Sequence, residues 1–445
     1  MAPWRPVLDF YLSVYDFLLS TFGLEILSFL SRNSLSDPEF RKGRLGFYPN
    51  LPGCDGPRVW FHAVSVGEVT GAVPTLVAFR KKVPEAMVVL TTGTPQGLRF
   101  ARTQLPPDVT VFPFPLDFSK SVARALNTLR PDLFIAFETE FWPNFYSQLG
   151  ARGIPALLLN GRISESSGRL YRFLSPLFRP VFRQFERMAM HSEEDALRAL
   201  RIGAPAGKVQ VLGSSKYDGL RTKARPENAA HWKNLLKIGE GVPVVMGGSL
   251  RESECIQLMQ VFLRLQASRP NLLGIFAPRH MHNIPRMVEW LARKQAPYNL
   301  LTEVEASSRP RTASVVLVDR IGALFDLYSA GDLIFCGGTL VPVGGHNILE
   351  PTAWSRPVFY GPYLKKILHE HRILRGFEGS FPVSDADDLF RLWDGWLADL
   401  EGLREHGRRA REALESLAGV VDRQVDLIVK LLERRLGESN SNAKA

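Results

Sequence analysis

From residue 43 onward, short and almost wholly apolar runs alternate with longer stretches in which apolar positions recur every three or four residues. Val59–Ala63, Val88–Thr92, Val109–Phe112, Leu133–Phe137, Ala156–Leu159 and Met188–His191 are runs of the first kind. Their length and lack of polar alternation predict strands covered on both faces, and the amphipathic stretches between them predict the covering helices. Strand, helix and strand in that order make a parallel, doubly wound sheet. After a polar segment, Arg221 to Lys237, the pattern restarts with Val242–Met246, Leu272–Phe276, Val315–Val318, Leu333–Cys336 and Val358–Tyr360. The expected architecture is therefore α/β, with two Rossmann-like domains, 43–220 and 221–384, facing a central cleft. Residues 385–445, with Arg and Glu at helical spacing and a Ser/Asn/Ala-rich end, are expected as closing helices and a frayed tail. A chain of 445 residues exceeds what one core usually supports, which agrees with this division.

Residues 1–42 follow a different pattern. Leu8 to Leu30 is dominated by Phe, Leu, Tyr and Ile, nearly enough to cross a bilayer. However, Asp9, Ser13, Asp16 and Ser20 share one helical face with Gly23, and an acid at the centre of a membrane helix costs about 3 kcal/mol. A helix lying in the membrane interface is expected rather than a span, the alternative being a helix packed on the protein's own surface. Arg5 is the only cation before the apolar stretch and no small-residue cleavage site precedes Arg32, which argues against secretion. Arg32, Arg41, Lys42 and Arg44 are expected to hold the rest on the cytoplasmic side and touch anionic headgroups.

Composition narrows the class. With 45% hydrophobic and 22% charged residues the chain reads as a globular enzyme, and its formal charge of +10 points to an anionic partner: a nucleotide, a phosphorylated substrate or an acidic membrane. Nucleic acid is not expected, because the cations are dispersed and no zinc-finger, zipper or RNA-recognition signature occurs. Cys54, Cys255 and Cys336 are too few and too scattered for a disulfide framework.

In open α/β sheets chemistry lies beyond the carboxyl ends of the strands. Gly344, Gly345, His346, Asn347 and Glu350 follow Leu333–Cys336 and read as a glycine turn opening a helix beside a phosphate, with Glu350 placed for sugar hydroxyls; a plain strand-to-helix turn is the alternative. Ser65-Val66-Gly67-Glu68 sets Glu68 at a helix start, either as a general base or as an ordinary first-turn acid; the helix dipole there would lower its basicity. Glu138 and Glu140 would face one way if strand geometry continues past Phe137. Neither acid has the companions a metal site needs, so no metal and no cofactor is expected. Lys216, Arg279 and His280 follow strand ends and suit phosphate oxygens, and Ser249 in Gly247-Gly248-Ser249 suits a helix cap. No Gly-x-Gly-x-x-Gly fingerprint occurs, which weakens a dehydrogenase reading.

Together these segments resemble the 3-deoxy-D-manno-octulosonic acid (Kdo) transferases. The matching stretches are Phe61 to Glu68, Thr91-Thr92-Gly93-Thr94-Pro95, Glu138 to Asn144, Asn160-Gly161-Arg162-Ile163-Ser164, Gly213 to Asp218, Pro278-Arg279-His280, and Gly337 through Pro362. The resemblance implies a GT-B fold with an N-terminal membrane-associating helix, and metal-independent inverting transfer from CMP-Kdo to a lipid A precursor, lipid IVA, at the cytoplasmic face of the bacterial inner membrane. By carry-over, Glu68 is the base. Lys216, Ser249, Arg279, His280, Gly344, Gly345, His346 and Asn347 serve the nucleotide, Glu350 the ribose, and Glu138, Glu140 and Arg162 shape the site. The chain departs from the family pattern at Arg251, where a histidine is usual, at Ala323 and at Tyr363 to Lys366. Rival readings are a transferase of another nucleotide sugar, a sugar-nucleotide epimerase and a non-catalytic binding protein.

Overall fold

The computed structural model describes residues 10–17, 19, 21, 37–306 and 310–442. The chain forms two compact units, one of residues 1–218 with 419–445 and one of residues 219–418.

The first unit holds a seven-stranded parallel sheet: β1 (Arg58–His62), β2 (Met87–Thr92), β3 (Thr110–Pro113), β4 (Leu133–Phe137), β5 (Ala156–Gly161), β6 (Phe185–Met190) and β7 (Val209–Val211), in the order β3-β2-β1-β4-β5-β6-β7. Alternation along each strand feeds two separate cores. Trp60, Phe134, Ala136 and Leu158 enter one; Val59, Phe61, Ile135 and Leu157 enter the other. Asp132 accepts the Arg58 N–H at 2.8 Å and so fixes where β1 enters the sheet.

The second unit repeats the plan with β8 (Val244–Leu250), β9 (Leu273–Pro278), β10 (Tyr298–Leu300), β11 (Val315–Leu317), β12 (Leu333–Cys336), β13 (Val358–Tyr360) and β14 (Ser380–Pro382), ordered β10-β11-β9-β8-β12-β13-β14. Here Asp332 accepts the Val244 N–H at 3.0 Å, the counterpart of Asp132. The three shortest edge strands, β7, β10 and β14, have three residues each and carry too little apolar sequence to announce themselves.

The expected closing segment 385–445 divides between the units. Helices Ala386–Trp396 and Leu400–Ser416 belong to the second, whereas helix Val420–Asn442 belongs to the first. Val425, Ile428 and Leu432 enter the core around helix Val66–Lys82, and Gln424 accepts from Thr75 at 2.7 Å while donating to Asn160 at 2.8 Å. A buried glutamine with both amide ends paired fixes that docking.

Of the N-terminal segment, residues 10–17 are helical; Asp9, Ser20, Gly23, Glu25 and Arg32 lie outside the described residues. Leu12 and Tyr15 pack on the first unit's core, and Asp16 accepts from Ser119 N at 3.0 Å and Asn144 Nδ2 at 2.9 Å. Phe10 and Phe17 are 65% and 67% exposed. The shared polar face therefore meets the protein at Asp16, while Phe10 and Phe17 are exposed. Among the described residues no helix is long and apolar enough to cross a membrane. Arg44 also departs from expectation: its Nη1 donates to the Phe114 carbonyl at 2.8 Å, and burial lowers its pKa to about 10, so it is an internal residue rather than a headgroup contact.

Candidate active site

In the first unit, β1 ends at His62 and the chain turns through Val64 into helix Val66–Lys82, with Ser65 as N-cap. Glu68 reaches back from the first turn, accepting from Val64 N at 2.6 Å and Ser65 Oγ at 3.4 Å. The helix dipole was expected to acidify it, but its pKa is raised to about 8, first by burial and then by the charges of Glu140 and Glu138, against the Val64 N–H and Lys216. A dipole is worth up to about 2 kcal/mol at a partly buried site, roughly one and a half pKa units, and burial beside two acids outweighs it.

Glu138 and Glu140 gather beside Glu68 by a route the sequence did not indicate. Strand β4 stops at Phe137, and Glu138 takes a left-handed φ of 62°, so the assumed strand alternation fails. Glu138 instead accepts from Lys216 Nζ at 2.6 Å, while Glu140 accepts from Trp142 Nε1 at 2.7 Å and lies 3.4 Å from His62 Nε2. Burial raises Glu140 to about 8 and lowers His62 to about 3. The His62–Glu140 contact therefore joins two groups whose charged forms burial disfavours. Thr139 donates to the Arg162 carbonyl, which ties the acid-bearing turn to the end of β5.

Lys216 belongs to this cluster, near the start of helix Ser215–Lys223. Asn160 holds that start, accepting Ser215 N at 3.0 Å and donating to Ser215 Oγ at 2.8 Å. A Cβ on Gly71 would lie 3.1 Å from Lys216 Cε, so glycine on the helix that carries Glu68 leaves the lysine its path to Glu138.

In the second unit, Gly247 and Gly248 are part of strand β8 rather than a loop, and Ser249 is its left-handed kink at φ 54°. Ser249 does not cap the following helix, Glu252–Ser268: Arg251 occupies the N-cap, and Glu254 accepts its N–H at 2.8 Å. Glu254, fully buried, also accepts from Gly338 N at 2.6 Å, Thr339 N at 2.9 Å and Leu340 N at 2.8 Å. One carboxylate thus satisfies four backbone donors and binds the loop after β12 to the loop after β8.

The expected helix at Gly344–Asn347 is absent. Gly344 and Gly345 have φ of 94° and 95°, incompatible with a right-handed helix, and the chain reaches only a four-residue 3₁₀ turn, Pro351–Trp354. Pro351 has no N–H to return to Asn347, so helical pairing cannot extend backward. Glu350 sits just before that turn instead of inside a helix, accepting from Asn347 Nδ2 at 3.3 Å; burial raises its pKa, opposed by Lys223, Asn347 and Arg279. The loop is held by Gly345 N donating to Gly338 O at 2.7 Å and Lys366 N to Gly344 O at 2.8 Å. A Cβ on Gly345 would meet Ile367 at 2.5 Å. The Gly344–Asn347 loop therefore opens no α-helix of its own, and the charges near it come from side chains.

Those charges converge on two imidazoles. Arg279, exposed, follows β9, its N–H paired with the Leu250 carbonyl at 2.8 Å, and His280 is next. His346 is half-buried, and its pKa is lowered to about 4 by burial and by Arg251, Arg279, Lys366 and His280. The structure therefore groups Arg279, His280, His346 and Glu350 in one unit and Glu68, Glu138, Glu140 and Lys216 in the other. The sequence reading passed over Glu254, although an acid three residues into a helix that follows a strand is a capping-box signal. It also passed over His62, whose role depends on contacts 29 and 78 residues away. Among the described residues no group of three or more His, Cys, Asp or Glu side chains could hold a metal ion.

Comparison with known proteins separates the fold from the family. Over 85% of this chain the fold matches Anabaena HepE in complex with UDP and Neisseria meningitidis UDP-GlcNAc 2-epimerase bound to UDP-GlcNAc, each with TM-score 0.58, 14% identity and all of the other chain covered. Identity that low establishes the two-unit GT-B-type fold and nothing of the chemistry. Residues 40–219 match the sequence model of 3-deoxy-D-manno-octulosonic-acid transferase (kdotransferase). The Chlamydia pneumoniae 3-deoxy-D-manno-octulosonic acid transferase is 34% identical over 319 residues, 71% of each chain. The Haemophilus influenzae 3-deoxy-D-manno-octulosonic acid transferase is 30% identical over 416 residues, covering 92% of this chain and 96% of its own length. With near full-length similarity added to the motifs and to the acid cluster around Glu68, the chain belongs to the 3-deoxy-D-manno-octulosonic acid transferase family.

Proposed function

We propose that this protein transfers Kdo from CMP-Kdo to a lipid A precursor, lipid IVA, with inversion, at the cytoplasmic face of the bacterial inner membrane. The observation that carries the reading is Glu68, a half-buried carboxyl at the carboxyl end of β1 whose pKa is raised to about 8. Such a group is a competent acceptor for the proton of a sugar hydroxyl, whereas an ordinary glutamate is too acidic. In the proposed step the acceptor oxygen forms the new bond to the anomeric carbon of Kdo. The bond from that carbon to the CMP phosphate oxygen breaks, its electron pair leaves with CMP, and the hydroxyl proton passes to Glu68.

Glu138 and Glu140 keep Glu68 basic, and Lys216 limits the charge repulsion among the three acids. Arg162 shapes the same turn through its carbonyl. In the second unit Arg279, with the Ser249, His280, Gly344, Gly345, His346 and Asn347 loops, receives the nucleotide phosphate and stabilises the charge developing on it. Glu350 accepts from the ribose. Exposed Phe10 and Phe17 enter the membrane interface, and exposed Arg41 and Lys42 meet anionic headgroups, consistent with a net charge of +10.

The test is to incubate the purified protein with CMP-Kdo generated in place and tetra-acylated lipid A precursor, and to weigh the lipid. A gain of one or more Kdo units is expected. No gain beside an active control enzyme would overturn the assignment. The shared fold favours one rival, an enzyme of UDP-sugars; stabilisation against heat by UDP-sugars and not by CMP would support it.

A further inference from the structure

Arg251 is the N-cap of helix Glu252–Ser268, yet its side chain spans two histidines of other loops. Nη1 donates to His280 Nε2 at 2.7 Å, and Nε donates to His346 Nε2 at 3.1 Å. A guanidinium has five donors and no acceptor, so in both contacts the imidazole nitrogen must supply the lone pair. Both rings are thereby fixed as neutral acceptors, their protons on Nδ1, and neither Nε2 can donate to a bound anion. The backbone of Arg251 is anchored by Glu254, the same carboxylate that holds Gly338, Thr339 and Leu340, so the fork is built on a rigid base.

The charge balance around these rings is cationic. Arg251, Arg279 and Lys366 all act on His346. Of the nearby acids, Glu252 acts on His280, Glu350 is countered by Lys223 as well as Arg279, and Glu254 is saturated by four N–H groups. We propose that Arg251 is a positioning residue of the donor site: it locks His280 and His346 as neutral acceptors and joins Arg279 and Lys366 in a three-cation cluster that holds the donor's phosphate. This rests on the reading of the second unit as the nucleotide-binding unit. Recognition of the phosphate by guanidinium and ammonium groups, with imidazoles serving only as supports, makes affinity insensitive to histidine protonation near neutral pH. Arginine is required because its fork reaches two acceptors at fixed geometry, which a single ammonium does not reproduce.

The full chain is titrated with CMP by calorimetry between pH 5.5 and 8, as wild type, Arg251→Gln and Arg251→Lys. Both variants are expected to bind about tenfold more weakly at pH 8, the scale of one charge-assisted contact. The Arg251→Gln deficit should shrink toward pH 5.5, because His346, still held down by burial, Arg279 and Lys366 but freed from the guanidinium, begins to protonate and replaces part of the lost charge; the ratio to wild type cancels the titration of CMP itself. Imidazole resonances followed by NMR should show the His346 midpoint rising in Arg251→Gln. Melting temperatures without ligand identify any variant that loses its fold, in which case the other two proteins carry the comparison. Affinity within twofold of wild type in a folded variant, or an unmoved His346 midpoint, overturns the proposal. Wild type that binds UDP and not CMP overturns the donor reading instead, while the imidazole shift still reports on Arg251.

Discussion

The two units share a seven-stranded parallel plan and even the same aspartate device, Asp132 before β4 and Asp332 before β12, but they place opposite charge at the carboxyl ends of their strands. In the first, Glu68, Glu138 and Glu140 crowd together, with Lys216 acting on Glu68 and Arg44 on Glu140 as counter-ions. In the second, Arg251, Arg279 and Lys366 converge on His346. The same scaffold thus raises the basicity of a carboxylate in one unit and suppresses imidazole protonation in the other. Burial is the largest cause in both, and the sign of the neighbours decides which neutral form is useful. On the proposed reading the base has acids beside it and the anion site has cations, and the repeated sheet plan supplies a separate setting for each.

The largest way to break this contrast is Glu68→Gln. Transfer should fall by about 10²- to 10⁴-fold, the usual contribution of a general base, while calorimetric CMP affinity stays unchanged because the acid lies in the other unit. Retained turnover would remove Glu68 from the mechanism.

Glu254→Ala attacks the second unit's framework. Four N–H groups lose their acceptor, and chemical denaturation should show a loss of about 3 kcal/mol or more. A change below about 1 kcal/mol would mean that water replaces the carboxylate there.

The contrast is sharpened by pH. Transfer at saturating substrate should rise as pH increases through about 8, where Glu68 loses its proton. Glu140→Gln removes a repelling charge and should move that rise to lower pH. A Glu whose folded pKa is raised favours folding while protonated, so the first unit's stability should decline as pH climbs from about 6.5, above the range in which buried His62 pulls the other way, through about 8. For His346 the folded pKa is depressed to about 4, so its contribution is lost as pH falls from about 6.5 toward 4. A decline between about pH 6.5 and 8 in the first unit's tryptophan or amide probes that Glu68→Gln reduces would support the pairing; a decline that the substitution leaves unchanged would contradict it.

The smallest expected effect concerns the N-terminal helix. Phe10→Ser with Phe17→Ser should weaken co-sedimentation with anionic vesicles several-fold, about 1 to 2 kcal/mol of lost burial, and leave CMP binding intact. Unchanged partitioning would show that these aromatics do not enter the interface.

The sequence alone determined a great deal about this protein. Parallel strands buried on both faces must be apolar throughout, so β1 to β6, β8, β9 and β11 to β13 were legible as runs, and two cycles of them meant two units. Glu68 was legible as a helix-start acid because local chain geometry places it there. What depends on distant contacts was not legible. The basicity of Glu68 is set first by burial and then by acids about 70 residues away, and the 349-residue return of Gln424 to Thr75 gives the last helix to the first unit. The glycine loop looked like a helix start because Gly and Pro suit several turns, and the packing of Ile367 and Lys366 against Gly344 and Gly345 chose among them. Apolar periodicity is local and survives in the sequence; the sign and strength of an electrostatic site depend on which loops the tertiary structure brings together.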